Sequence, residues 1–280
     1  MLLAGPRVPI DLSGDLRLYE TATPLLTGWP QAEPDISSTT AGLDLRQGDG
    51  DWILSPRGAP VEPLSFAPGY EACNGLVGGL IGEYVCQDPD LISVHAAAAV
   101  SASGALVAVA DAFAGKSTLA TALAWQGCPL ICDDRVVIAA GPPVRARALG
   151  VAAKMRRPLP ADAPADYVAF IEEAALSTWP DVAPLSLGAD HQLAFGEERP
   201  LAAWLLPRRD PGHEGVTLQE VAPAAVVRAL AEQTFAPHLP LADLMRRAAD
   251  LTGAAACYRL DYADSFAAAR FLADRFGVPS

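Results

Sequence analysis

Lysine is almost missing from this chain. Of its 20 basic residues only Lys116 and Lys154 are lysines, so a lysine inside a motif is hard to read as incidental surface charge. Basic residues as a class are in deficit, 20 against 33 acidic ones, for a net charge of −13 and an isoelectric point near 4.6. That balance argues against nucleic acid and anionic membrane as the main partners, and solubility alone explains it. No apolar run reaches the length of a membrane span, and Met1–Ile10 lacks the form of a signal peptide. Cysteine is sparse and shows no CxxC spacing. The set is Cys73, Cys86, Cys128, Cys132 and Cys257; Cys128 and Cys132 flank an apolar run and read as small core residues, not zinc ligands. The expected location is the reducing cytoplasm. There is no internal repeat. What remains is a globular composition, 51% apolar and 19% charged over 280 residues, enough for one large or two small domains.

The chemistry gathers in residues 104–138. Ala105–Ala110 is an apolar run bounded by Gly104 and reads as a buried strand. A tight loop ends in Gly115-Lys116-Ser117-Thr118, and Leu119–Gln126 follows with helical spacing and Gly127 placed to stop it. A second buried strand, Pro129–Cys132, delivers Asp133 and Asp134 at its C-terminal end. Amides of such a loop and of the helix start converge on one spot and attract phosphate oxygens. In that motif Lys116 reaches the β- and γ-phosphates, and the Ser117 hydroxyl ligates Mg²⁺. The two acids close the site, one as metal partner and one as base. Ala110 stands where the full G-x-x-x-x-G-K-[ST] pattern has glycine, which alanine tolerates with negative φ.

Around this stretch, residues 1–90 suggest a small β-rich lobe. Leu12–Tyr19 alternates, Asp51–Ser55 is a short strand, and Thr21–Leu43 is Pro/Ser/Thr-rich loop. Tyr70–Cys86 has helical spacing despite four glycines. Leu91–Ser101 reads as a buried strand joined by a turn to the next, as an antiparallel pair. On spacing alone, His95 inside it reads as a satisfied core residue. Arg145, Arg147, Lys154, Arg156 and Arg157 cluster, either as a solvated face or as a patch for phosphates or an acidic peptide. Asp162–Pro184 reads as a mobile segment or lid. Pro200–Pro207, Val216–Val221 and Ala255–Leu260 read as strands, and Pro223–Gln233, Leu239–Leu251 and Ser265–Phe276 as helices, the last capped by Ser265.

Taken together, Ser93-Val94-His95, the loop ending Gly115-Lys116-Ser117 and Asp133-Asp134-Arg135-Val136 resemble the catalytic domain of HPr kinase/phosphorylase. The resemblance is closer to shorter HPr-kinase-related proteins, some encoded with lasso-peptide biosynthesis genes. It spans about 91–276 in element order, with its specific motifs inside 93–136. It implies an α/β fold, a P-loop kinase core of HPr-kinase type over 91–280 (mixed central sheet with flanking helices), beside the small β-rich lobe of 1–90. The activity implied is ATP- and Mg²⁺-dependent transfer of the γ-phosphate to a serine of a peptide or small protein, with a lasso precursor peptide as the expected acceptor. Asp133 is then the base, Asp134 assists the metal with Ser117, and His95 sits near the γ-phosphate. Lys116 completes the catalytic set. Ala112, Phe113, Ala114, Gly115, Lys116, Ser117 and Thr118 would cradle the phosphates, Phe113 shielding them or touching substrate. Arg145 stands where the family's later signature has a metal-binding glutamate, while Arg147, Leu149 and Gly150 fit that signature. The related bifunctional enzymes are hexamers, which allows for a homo-oligomer. The altered loop and the replaced glutamate motivate the alternative, a nucleotide-binding sensor or scaffold without phosphotransfer. An ATPase or GTPase switch is weaker still, there being no N-K-x-D pattern for guanine.

Overall fold

Gly14, with φ of +84°, ends the first expected strand early. Only Ile10–Gly14 is extended, and Arg17–Ala22 turns into a short helix, α1. The computed structural model describes residues 1–33, 41–112, 114–176 and 179–279. Five N-terminal strands hydrogen-bond in chain order: β1 (Leu2–Leu3), β2 (Ile10–Gly14), β3 (Gly42–Gln47), β4 (Trp52–Pro56) and β5 (Leu64–Phe66). Trp52 and Leu54 are buried while Ile53 and Ser55 are less so, the period of a sheet with one covered face. The cover is α2 (Tyr70–Cys86). Its glycines cost helix stability, roughly 1 kcal/mol each against alanine, but two of them allow close approach. A Cβ on Gly75 would lie 2.7 Å from the Phe66 ring, and one on Gly82 would lie 3.1 Å from Phe235. The expected Thr21–Leu43 loop holds a 3₁₀ turn, Thr23–Leu25, and the start of β3; its residues 34–40 lie outside the described residues.

The second, larger sheet is built on β6 (Leu91–Ser101) and β7 (Gly104–Val109), antiparallel through the expected turn. Next come α3 (Lys116–Trp125), β8 (Leu130–Cys132), β9 (Arg135–Ala139) and β10 (Arg145–Arg147). β11 (Ala153–Arg156) pairs β12 (Val182–Leu185) as a separate ribbon, with α4 (Ala165–Ala174) between them. The expected mobile segment Asp162–Pro184 is thus largely ordered, because Tyr167 and Ile171 on α4 bury their side chains; Ser177 and Thr178 lie outside the described residues. β13 (Glu198–Arg209), β14 (Val216–Glu220), α5 (Pro223–Gln233), β15 (Thr234–Phe235), α6 (Leu241–Gly253), β16 (Ala256–Tyr262) and α7 (Ser265–Phe276) complete the chain. The cap of α7 is Asp264, not Ser265: its Oδ1 accepts from Phe266 N at 2.7 Å.

The sheet order is β10-β9-β6-β7-β13-β16-β14, with β13 parallel to both β7 and β16 and the other neighbours antiparallel. Alternate residues of β6 and β7 face opposite layers. Ala97, Ala99, Leu106 and Ala108 pack with α3 and α7, while Ala96, Ala98, Val107 and Val109 pack with α5 and α6. The result is a mixed α/β chain with helices on both faces of a mixed sheet. β8 and β9 run along the same edge of β6, opposite Ala98–Ala99 and Leu91–His95 respectively. The break between them is Asp133-Asp134.

Candidate functional site

Three pieces meet where β6, β7 and that strand break converge. β7 ends at Val109, and Gly115, at φ +84°, swings the chain into α3. The left-handed turn suits glycine and starts the helix with its free amides toward a cleft of about 630 Å³. Ala112, Gly115, Lys116, Ser117 and Thr118 line this cleft; Ala114 belongs to the turn but not to the lining, and Phe113 lies outside the described residues. The Lys116 ammonium donates to Ala110 O at 2.7 Å and Asp111 O at 2.9 Å, bracing the loop from inside. Burial lowers its pKa, opposed by Asp134, Asp111 and Asp133. Ser117 Oγ donates to Asp133 O at 3.4 Å, tying the first helical turn to the strand break.

Asp133 and Asp134 both line the cleft yet sit in unlike surroundings. Asp133 is 3% exposed, and its Oδ2 accepts from the backbone N–H of Lys154 at 3.0 Å. Burial raises its pKa, against the attraction of Lys154. Burial would also raise Asp134, but His95 and Lys154 outweigh it and hold that carboxyl well below the usual range. Its Oδ2 accepts from Lys154 Nζ at 2.7 Å, and its Oδ1 lies 3.3 Å from His95 Nε2. Neighbouring carboxylates pushed apart in this way are suited to different tasks, one fixed as an anion and one able to exchange a proton.

His95 is not a core histidine. Its Nδ1 lies 2.8 Å from Gln233 Oε1, while Gln233 Nε2 donates to Asp111 Oδ1 at 2.9 Å. An amide that donates to a carboxylate through nitrogen must accept through oxygen, so the network assigns a proton to His95 Nδ1. A continuous chain of polar contacts therefore runs from the loop through Gln233 and His95 to Asp134 and Lys154. Asn74 Oδ1 ends it, accepting from Lys154 Nζ at 2.8 Å.

Sequence reasoning missed Asn74, Tyr70, Gln233, Arg209 and the place of Lys154. Asn74 and Tyr70 come from α2, and Tyr70 stacks edge-on with Trp179 at 5.4 Å between centroids. Arg209, at the end of β13, lines the cleft and donates from Nε to Ala263 O. For Lys154 there was a signal, the scarcity of lysine. The five clustered basic residues do not share one face. Arg145 and Arg147 turn to Glu198, Arg157 pairs with Glu172, and only Lys154 and Arg156 reach the cleft.

The donors suit a metal that arrives with phosphates more than a standing metal centre. Among the described residues no three His, Cys, Asp or Glu side chains converge as ligands. Ser117 Oγ and the lone pairs left on Asp134 are oxygen donors of the kind Mg²⁺ takes, beside phosphate and water.

No protein-family model matches the chain, and no curated protein does. Among solved structures it is similar to the HPr(Ser) kinase/phosphatase from Coxiella burnetii, at 12% identity and a TM-score of 0.30, over 60% of this chain and 83% of that one. The likeness is a loose one.

Proposed function

We propose that the cleft binds ATP with Mg²⁺ and transfers the γ-phosphoryl group to a serine hydroxyl of a peptide or small protein. The observation that carries this reading is that Lys116 and Ser117 open α3 within the same cleft as Asp133. Helix-start amides and a lysine neutralise a triphosphate, and a carboxylate facing them serves the nucleophile. The serine oxygen forms the new bond to the γ-phosphorus as the bond to the β-bridging oxygen breaks, releasing ADP. The serine proton passes to Asp133, whose Oδ2 is held by Lys154 N–H, leaving Oδ1 for the acceptor. Asp134 stays ionised and orients His95, while Lys116 exchanges its two carbonyl partners for phosphate oxygens. Ser117 and Asp134 would hold Mg²⁺ together with the phosphates, and the ion would supply charge neutralisation there. A ribosomally made precursor peptide of the lasso kind is the acceptor that the motif resemblance favours.

Incubation with γ-labelled ATP and serine peptides tests the reading. Label should appear on serine with wild type and be lost with Asp133→Asn; equal transfer by the variant removes the assigned base. The 3% exposure of Asp133 favours one second reading, a nucleotide sensor without transfer. Tight ATP binding with no phosphopeptide across a broad serine-peptide panel would select it.

A further inference from the structure

Lys154 occupies an unusual position for an ammonium group. It is 8% exposed, and its Nζ is bonded to Asp134 Oδ2 at 2.7 Å and Asn74 Oδ1 at 2.8 Å. Its own backbone N–H holds Asp133 Oδ2. One carboxylate oxygen of Asp134 and the amide oxygen of Asn74 meet at the ammonium, hard oxygen donors of the type a divalent cation takes, with the Asp133 carboxylate held by the backbone of the same residue. In this chain a side-chain cation already sits in that set.

We infer that Lys154 is a built-in substitute for a second divalent ion. Phosphoryl-transfer sites often hold two metal ions to neutralise the charge that develops around the transferred group. Here one of those positions is filled from the chain itself, so the cleft admits a single divalent ion, on the Ser117 side of Asp134. The position filled from β11 is closed to metal. Two features agree. Arg145 is turned to Glu198 and away from the cleft, so β10 contributes no carboxylate there. Asn74 gives the ammonium a neutral oxygen where an acid would strengthen a metal site. Lys154 also orients both acids, Asp133 through its backbone and Asp134 through its side chain. It is a positioning residue that carries charge.

This inference rests on the nucleotide reading of the cleft, and counting bound ions separates the two. Titrate the whole chain with Mn²⁺ in the presence of saturating non-hydrolysable ATP analogue, following free Mn²⁺ by its paramagnetic resonance signal. Wild type should bind one Mn²⁺ per chain with the analogue, and so should Lys154→Arg, which keeps a cation in place. Lys154→Met removes the charge at similar length and should bind two. Two ions on wild type overturn the inference while leaving the nucleotide reading intact. One ion on Lys154→Met, with its circular dichroism and melting curve native-like, also overturns it. If that variant does not fold, wild type and Lys154→Arg decide: one ion on each sustains the inference, and two on either overturns it. No binding of the analogue to wild type would overturn the nucleotide reading itself, and the inference with it.

Discussion

Asp133 and Asp134 are identical side chains on adjacent residues, and their neighbours make them chemically distinct. Asp134 is locked between two nitrogen groups, whereas Asp133 is buried with one oxygen tied to an amide. Asp133→Asn keeps the shape and removes the proton acceptor that the proposed reaction needs. Serine transfer should fall by about 10²- to 10⁴-fold, with ATP affinity measured by calorimetry nearly unchanged. Gln233 is a subtler case because its side-chain hydrogen bonds among the described residues go to His95 and Asp111. Gln233→Leu releases His95 Nδ1 and uncouples the loop from the acid pair. Turnover should fall and its pH profile should shift, while the melting temperature stays close to wild type; an unchanged profile would leave Gln233 no positioning role. These residues also mark what was legible in the sequence. Lys116, Ser117, Asp133 and Asp134 stand close together in the sequence, and the structure places all four in the lining of one cleft. Gln233, Asn74 and Tyr70 are ordinary polar residues on helices, and only folding brings Gln233 and Asn74 within about 3 Å of charged partners and Tyr70 into the cleft lining.

Elements rich in local signal were readable in advance: β6, α3, α5 and α7 fall almost where the apolar spacing puts them. Those that escaped are defined by remote contacts. β10 and β11 are short and basic, and they become strands because β9, β13 and β12 offer partners. α2 shows how such contacts reach the site. Glu83 on its inner face is fully buried, and its carboxylate accepts from the backbone N–H groups of Gly42, Arg57, Gly58 and Ala59 at 2.8–3.0 Å. This pins α2 to the first sheet and so fixes Tyr70 and Asn74, which α2 carries to the cleft. Glu83→Gln puts an NH₂ among donors and should cost about 1.5–3 kcal/mol, a fall in melting temperature of roughly 3–12 °C. Gly150 is a second pin. It has φ of +63°, and a Cβ there would come within 2.2 Å of Gly28 O. Gly150→Ala should destabilise the chain by about 1–3 kcal/mol, read as an earlier denaturant midpoint.

Across the whole molecule, five thiols are free and four of them are buried, with Cys86 partly exposed. Burial pushes Cys73, Cys86 and Cys128 up to about 11. Thiolate, the reactive form, is then scarce at pH 8 and grows as the pH climbs toward those values. Native protein should react slowly with a thiol reagent at pH 8 and faster at pH 10, and all five should react at once in denaturant. Rapid native modification of more than Cys86 would contradict the packing. At this scale too, no helix among the described residues is long and apolar enough to cross a membrane.

The scarcity of lysine has a practical consequence. Apart from the N-terminus, the only primary amines in this chain are the two that line the cleft, both buried, one bracing the loop and one seated on the acids. A reagent that acylates amines, usually an indiscriminate label, should therefore mark the native chain first at its N-terminus and reach the two lysines only slowly. Mass spectrometry of the acylated chain would show label at the N-terminus before either lysine, and early label on Lys116 or Lys154 would contradict their burial. Immobilising the protein through its amines would then tether it at one end and leave the cleft open.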